Sequence, residues 1–200
     1  PVERVLLADN AQRDGLVQDI LRKAKAAGVK VDMVPRAQLD KRSERGSHQG
    51  VMAQAKPFPY AGLSDVLAHA EGQAKRGNGS ALIVLLDHIT DAGNLGAIAR
   101  SAEVVGAAGI IIPNKRSARV TAATYKSSAG AIAHLPVAQV ANVKQALERC
   151  KENGFWVAGA SEKADQTIWD SNMKGKIVLV MGNESEGLAR LTQECCDFFT

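Results

Sequence analysis

The sequence predicts an α/β protein built on a parallel sheet covered on both faces, with a smaller α/β domain ahead of it. Three observations carry this reading. From residue 81 onward, short apolar runs alternate with helical patterns, which is how a buried parallel sheet with crossover helices is written. Two of those runs end in turns rich in Gly and Asn, the place where α/β proteins put ligands. Composition shifts along the chain: residues 1–60 carry 11 Lys/Arg against 7 Asp/Glu, whereas residues 61–200 carry 14 of each.

Taken in order, residues 2–8 read as a strand. Residues 13–27 follow as an amphipathic helix with Leu16, Ile20, Ala24 and Ala27 near one face, and Gly28 is placed to end it. A strand at 29–34 stops at Pro35, a short helix suits 37–42, and a loop at 46–50 leads to a strand at 51–55. Pro57 and Pro59 remove ladder donors and favour extended backbone. A helix is expected near 63–70, then a polar connection at 75–80. The expected domains are 1–60, a linker at 61–80, and 81–200. In the last, strands are expected at 81–86, 108–112, 133–137, 155–160 and 176–181, and helices at 94–106, 142–153 and 187–196.

Several classes are excluded. No apolar run approaches the roughly 20 residues that span a bilayer, and no basic segment followed by an apolar one opens the chain. No G-x-G-x-x-G follows a strand and no P-loop is present, which disfavours nicotinamide and nucleotide chemistry. Cys150, Cys195 and Cys196 form no C-x-x-C pair and lack a His at metal-ligand spacing, so they read as reduced, mostly buried thiols of a cytoplasmic protein without a metal. Trp156 and Trp169 sit in apolar context and read as core. The chain begins at Pro1 and ends on Phe198-Phe199-Thr200, so both ends are expected to be incomplete.

The stretch 87–102 places Asn94, two glycines and Arg100 where a strand hands over to a helix. Asn94 is either a helix N-cap or a site residue. Arg100 is either a surface ion-pair partner or a grip on a phosphate or ribose oxygen. The stretch 181–187, Met-Gly-Asn-Glu-Ser-Glu-Gly, ends a second strand. There Glu184 is either a carboxylate favoured by a helix start or a positioning group. Lys115, Arg116 and Arg119, followed by Lys126 and Ser128, read as a phosphate contact or as a solvated loop. The basic excess of the first 60 residues is either a solvated surface or a means of delivering RNA.

Together the two stretches resemble the first two motifs of the SpoU family of RNA ribose 2′-O-methyltransferases, of the knotted SPOUT class. His48-Gln49-Gly50 is similar to a segment of the ribosomal-protein-like RNA-binding domain that precedes many SpoU catalytic domains. The likeness runs from residue 1 to 200 and is nearest to bacterial 23S rRNA guanosine 2′-O-methyltransferases.

The resemblance implies a knotted parallel-sheet domain that uses S-adenosylmethionine as methyl donor, acts on ribosomal RNA and forms a homodimer. It implies Asn94, Arg100 and Glu184 as catalytic residues. Cofactor contacts would fall on Ala160, Met181, Gly182 and Gly187, and RNA contacts on Lys115, Arg116, Arg119, Lys126 and Ser128. The family's third motif, an Ile-Pro-Met strand end and a Ser-Leu-Asn-Val-Ser helix, should follow Phe199 and is absent, so the knot segment is expected to be missing from this sequence. In the family the matching Arg is often assigned as the base. A guanidinium stays protonated to about pH 12, which equally suits orienting a phosphate or stabilising a developing alkoxide. The alternatives are a tRNA 2′-O-methyltransferase, which the N-terminal domain disfavours, and a non-catalytic RNA-binding paralogue, which intact Asn94, Arg100 and Glu184 disfavour.

Overall fold

The computed structural model describes residues 2–11, 14–43 and 48–200. The chain divides into two compact units, residues 1–58 and 59–200. The expected helix start at residue 13 and residues 46–47 of the expected loop lie outside the described residues.

In the first unit β1 (Val2–Ala8) is the middle strand of three, parallel to β2 (Lys30–Val34) and antiparallel to β3 (Val51–Ala55). A parallel pair needs a crossover, which α1 (Gly15–Ala26) supplies; Asp14 caps it by accepting from the Val17 amide at 2.9 Å. Leu6, Ala8 and Leu39 of α2 (Arg36–Arg42) form a small core. Of the expected apolar face of α1, only Ala24 is buried, and Leu16 is 66% exposed. His48 fixes a turn: its Nδ1 accepts from the Gly50 amide at 2.9 Å, and its Nε2 lies 2.8 Å from Asp40.

The second unit holds a six-stranded, all-parallel sheet. Its strands are β4 (Ala81–Leu86), β5 (Gly109–Pro113), β6 (Val137–Val140), β7 (Trp156–Gly159), β8 (Lys176–Met181) and β9 (Phe198–Phe199), in the order β6-β5-β4-β8-β7-β9. β5 is buried at every position and β4 at all but Leu82. Successive side chains face opposite sides, so both faces are covered. Each fully buried Ile, Leu or Val contributes roughly 1.5–3 kcal/mol. The chain winds outward from β4 through β5 to β6, then returns to lay β8 on the other side of β4. The order therefore reverses between β4 and β8, and the ends of these two strands meet at the crevice where such sheets bind ligands.

Four expectations shift. Residues 61–80 do not merely connect: α3 (Leu63–Arg76) buries Val66, Leu67, Ala70 and Ala74 in the main core. The strand expected at 133–137 begins only at Val137, because residues 131–133 form a 3-10 turn. The helix expected at 187–196 shrinks to α7 (Arg190–Gln193), since a closed turn occupies 183–187 with Gly187 at φ +67°. Trp156 and Trp169 are 62% and 91% exposed rather than core. The remaining helices are α4 (Ala92–Val104), α5 (Ala122–Ser127) and α6 (Val143–Glu152). No helix among the described residues is long and apolar enough to cross a membrane.

Candidate active site

The site begins with one buried carboxylate. Asp87, the first residue after β4, is 1% exposed. Its amide donates to the Met181 carbonyl at the end of β8, at 2.8 Å. Its carboxylate holds His88 Nδ1 at 2.6 Å and accepts from the Ala189 amide at 2.8 Å. A buried carboxylate without partners is costly, and these bonds meet that need while tying the β4 loop to the β8 loop. His88 sits at φ +62° and its carbonyl accepts from Asn183 Nδ2 at 3.0 Å.

Asn183 is a hub. Its Oδ1 accepts from the Ser185 amide at 3.0 Å, the Ser185 hydroxyl at 2.8 Å and the Glu186 amide at 3.3 Å. Its backbone exchanges two 2.9 Å hydrogen bonds with Gly187. The resulting turn packs so closely on Gly182 that a Cβ there would lie 2.3 Å from the Gly187 carbonyl carbon. Sequence reasoning passed over Asp87 and Asn183; an acidic residue directly after an apolar strand was the available signal for Asp87.

This turn presents Glu184 away from any helix start. On the facing loop Asp91, not Asn94, caps α4, accepting from the Asn94 amide at 2.8 Å. The Asn94 side chain is thereby free to donate to Glu184 Oε1 at 2.5 Å, joining residues 90 positions apart. Gly96 lets α4 approach α5: a Cβ would fall 1.9 Å from Ser127 Oγ and 2.7 Å from the Thr124 carbonyl oxygen.

Arg100 does not join the pair. Six residues along a helix is a rotation of about 120° and an advance of about 9 Å. Its side chain is exposed and has no ion-pair partner among the described residues. 

A cleft of about 1090 Å³ opens beside the turn, lined by residues 160–166, 181–188, Gln193 and Phe199. It includes Ala160, Met181, Gly182 and Gly187, and four carboxylates, Glu162, Asp165, Glu184 and Glu186, against one cation, Lys163.

The basic candidates separate. Lys115 and Arg116 line a second, smaller cavity that neither Arg119 nor Lys126 touches. Lys126 lies on α5 rather than in a loop, and like Arg119 it is exposed. Ser128 corrects the expectation: it is fully buried, its hydroxyl donating to the Tyr125 carbonyl at 3.2 Å, and has no surface to offer RNA. Burial pushes the thiols of Cys150 and Cys196 up to about 11 and raises that of Cys195. All three remain neutral at physiological pH and supply no thiolate nucleophile. No cluster of His, Cys, Asp and Glu able to hold a metal occurs among the described residues.

Solved structures share this fold. The SpoU methyltransferase AviRb from Streptomyces viridochromogenes, in complex with AdoMet, superposes with a TM-score of 0.80 at 22% identity, over 100% of this chain and 72% of that one. An AdoMet-bound rRNA methyltransferase from Sinorhizobium meliloti gives 0.75 at 22% identity, over 99% and 69%.

Residues 81–200 match the SpoU rRNA methylase family model, and residues 1–61 match that for RNA 2′-O ribose methyltransferase substrate binding. A Bacillus subtilis protein bearing the name TrmH family tRNA/rRNA methyltransferase is 41% identical over 98% of this chain and 76% of its own length. A Synechocystis protein named as a tRNA/rRNA methyltransferase is 36% identical over 98% of this chain, which spans 50% of that relative. The chain belongs to the SpoU methylase family, and so to the S-adenosylmethionine-dependent RNA methyltransferases.

Proposed function

We propose that this protein methylates a ribose 2′-hydroxyl of ribosomal RNA, a guanosine of 23S rRNA being the favoured target. The observation that carries the reading is the Asn94–Glu184 hydrogen bond, which joins the two strand-end loops at the edge of the large cleft. The basic first unit, with its match to a substrate-binding model, supports RNA delivery by that unit.

The cleft suits the cofactor on two physical grounds. Gly182 and Gly187 border the cleft with bare backbone, and their close packing, which a Cβ on Gly182 would break, holds that edge in place. The four carboxylates favour a ligand carrying a positive sulfonium. Ala160, Met181, Gly182 and Gly187 would hold it, and it would supply an electrophilic methyl group. The chain's own residues do the rest. Asn94 and Glu184 fix each other, so that the ribose meets a preorganised polar edge and little reorganisation remains for the reaction. Arg100 contributes positive charge to the ribose oxygen as that oxygen's proton passes to solvent. Arg100 is exposed and makes no bond to this chain's own pair, so on this reading it serves the pocket of a second copy, and a homodimer completes the site. Lys115, Arg116, Arg119 and Lys126 hold RNA phosphates.

The test is methyl transfer from labelled S-adenosylmethionine to 23S rRNA fragments and to tRNA by the protein with its natural ends, with Arg100→Ala beside it. Label on rRNA ribose, lost in the variant, is the expected result. Label on tRNA alone keeps the chemistry and replaces the substrate, an outcome that the relatives' tRNA/rRNA names make worth including. RNA binding without transfer points to a non-catalytic paralogue.

A further inference from the structure

The second cavity, about 410 Å³, lies at the carboxyl ends of β4, β5 and β6. Its wall carries Lys115, Arg116, Lys144, Arg190 and His88, and no carboxylate. Lys144 and Arg190 are each shared with a glutamate one helical turn on, Glu148 at 3.9 Å and Glu194 at 3.0 Å. Those are exposed pairs, weak in water and readily given up to a stronger anion.

A second observation is independent of charge. Four described residues other than glycine have positive φ, and two of them, His88 at 62° and Arg116 at 51°, line this one cavity. Left-handed backbone is costly for residues with a Cβ and persists where the surroundings impose it, often at ligand sites. Here the surroundings are visible for His88. Asp87 holds Nδ1, Asn183 holds the carbonyl, and Nε2 is left as the ring nitrogen available to a ligand.

We infer that this cavity is a seat for a backbone phosphodiester of the substrate RNA, gripped by Lys115, Arg116, Lys144 and Arg190 with His88 on its wall. The inference rests on the RNA methyltransferase reading and extends it. Lys144, Arg190 and His88 become binding residues that no motif singled out, and the seat shares the Asp87–Asn183 wall with the cofactor cleft.

The experiment uses the protein with its natural ends and fluorescein-labelled 23S rRNA fragments and tRNA. Affinity is measured from 50 to 200 mM salt for wild type, Lys144→Gln, Arg190→Gln, the double variant and Arg116→Gly. S-adenosylmethionine affinity is measured alongside by calorimetry. Each single variant is expected to weaken RNA binding about tenfold, as for loss of a hydrogen bond to a charged group. The slope of log affinity against log salt should fall by about 0.7 per cation removed. Cofactor affinity should be unchanged. Arg116→Gly relieves the left-handed backbone, so it should lose RNA affinity without lowering Tm, which a merely structural role would not produce. Unchanged RNA affinity and slope in the double variant, beside a wild type that binds and methylates RNA, overturns the seat and leaves the enzyme intact. A wild type that neither binds nor methylates either RNA overturns both.

Discussion

Two cavities share one wall and differ in sign. The larger is edged by four carboxylates against one lysine and the smaller by four cations with no carboxylate, and between them run His88 and Asn183, with Asp87 behind them. The difference shows how one sheet edge can receive a cationic cofactor and a polyanionic substrate without either drifting into the other's place. On the proposed reading charge sorts the two ligands, and the hydrogen-bonded wall stands between their seats.

The sharpest way to break this contrast is at the pair on the rim of the cleft. Asn94→Ala and Glu184→Gln should each lower kcat/KM for methyl transfer roughly a hundredfold, the scale of losing one preorganised polar group. RNA affinity should stay within a few-fold, measured by steady-state kinetics beside equilibrium binding. A drop confined to RNA affinity would move the pair from chemistry to substrate holding.

Salt separates the two cavities next. Raising it from 50 to 200 mM should weaken RNA binding about tenfold or more if three phosphates are neutralised. Cofactor affinity should change by less than about twofold, since a partly enclosed pocket is poorly screened. Equal salt dependence for both ligands would erase the distinction.

The wall comes third. Asp87→Ala strands the Ala189 amide and frees His88, and should cost about 2–3 kcal/mol in urea unfolding. Gly182→Ala drives a methyl into the Gly187 backbone and should cost about 1–3 kcal/mol. Cofactor affinity should fall in that variant before RNA affinity does. The smallest effect is expected at Trp169→Ala, within about 0.5 kcal/mol, because the ring is 91% exposed.

Much of this was legible in the sequence where local signals agree with tertiary context. The bounds of β1, β3, β4 and β8 follow from apolar runs cut off by turn residues. The motifs singled out Asn94, Glu184, Gly182 and Gly187, and the structure pairs the first two and sets Glu184 and both glycines along one cleft. What escaped depends on partners distant in the chain. Asp87 is explained by Ala189, 102 positions away, and Asn183 by His88, 95 away. The helix expected at 187–196 has helical composition, but a closed turn ahead of it uses up its first residues. Ser128 looked like a surface hydroxyl in a basic stretch, and the packing of α4 and of the following 3-10 turn around it puts it inside. The tryptophans failed for a simpler reason: apolar neighbours in sequence do not ensure apolar neighbours in space.

The Asp87 carboxylate has a consequence for timing. Its two oxygens hold His88, on the wall of the cationic cavity, and Ala189, which lines that same cavity, while the adjoining Asn183 shapes the turn that borders the cleft. A ligand that tightens one side of this wall removes freedom from the other. The free energy so transferred is the same whichever ligand comes first. On the proposed reading each ligand is expected to change the other's affinity by one and the same factor, which titrating S-adenosylmethionine with and without bound RNA would measure.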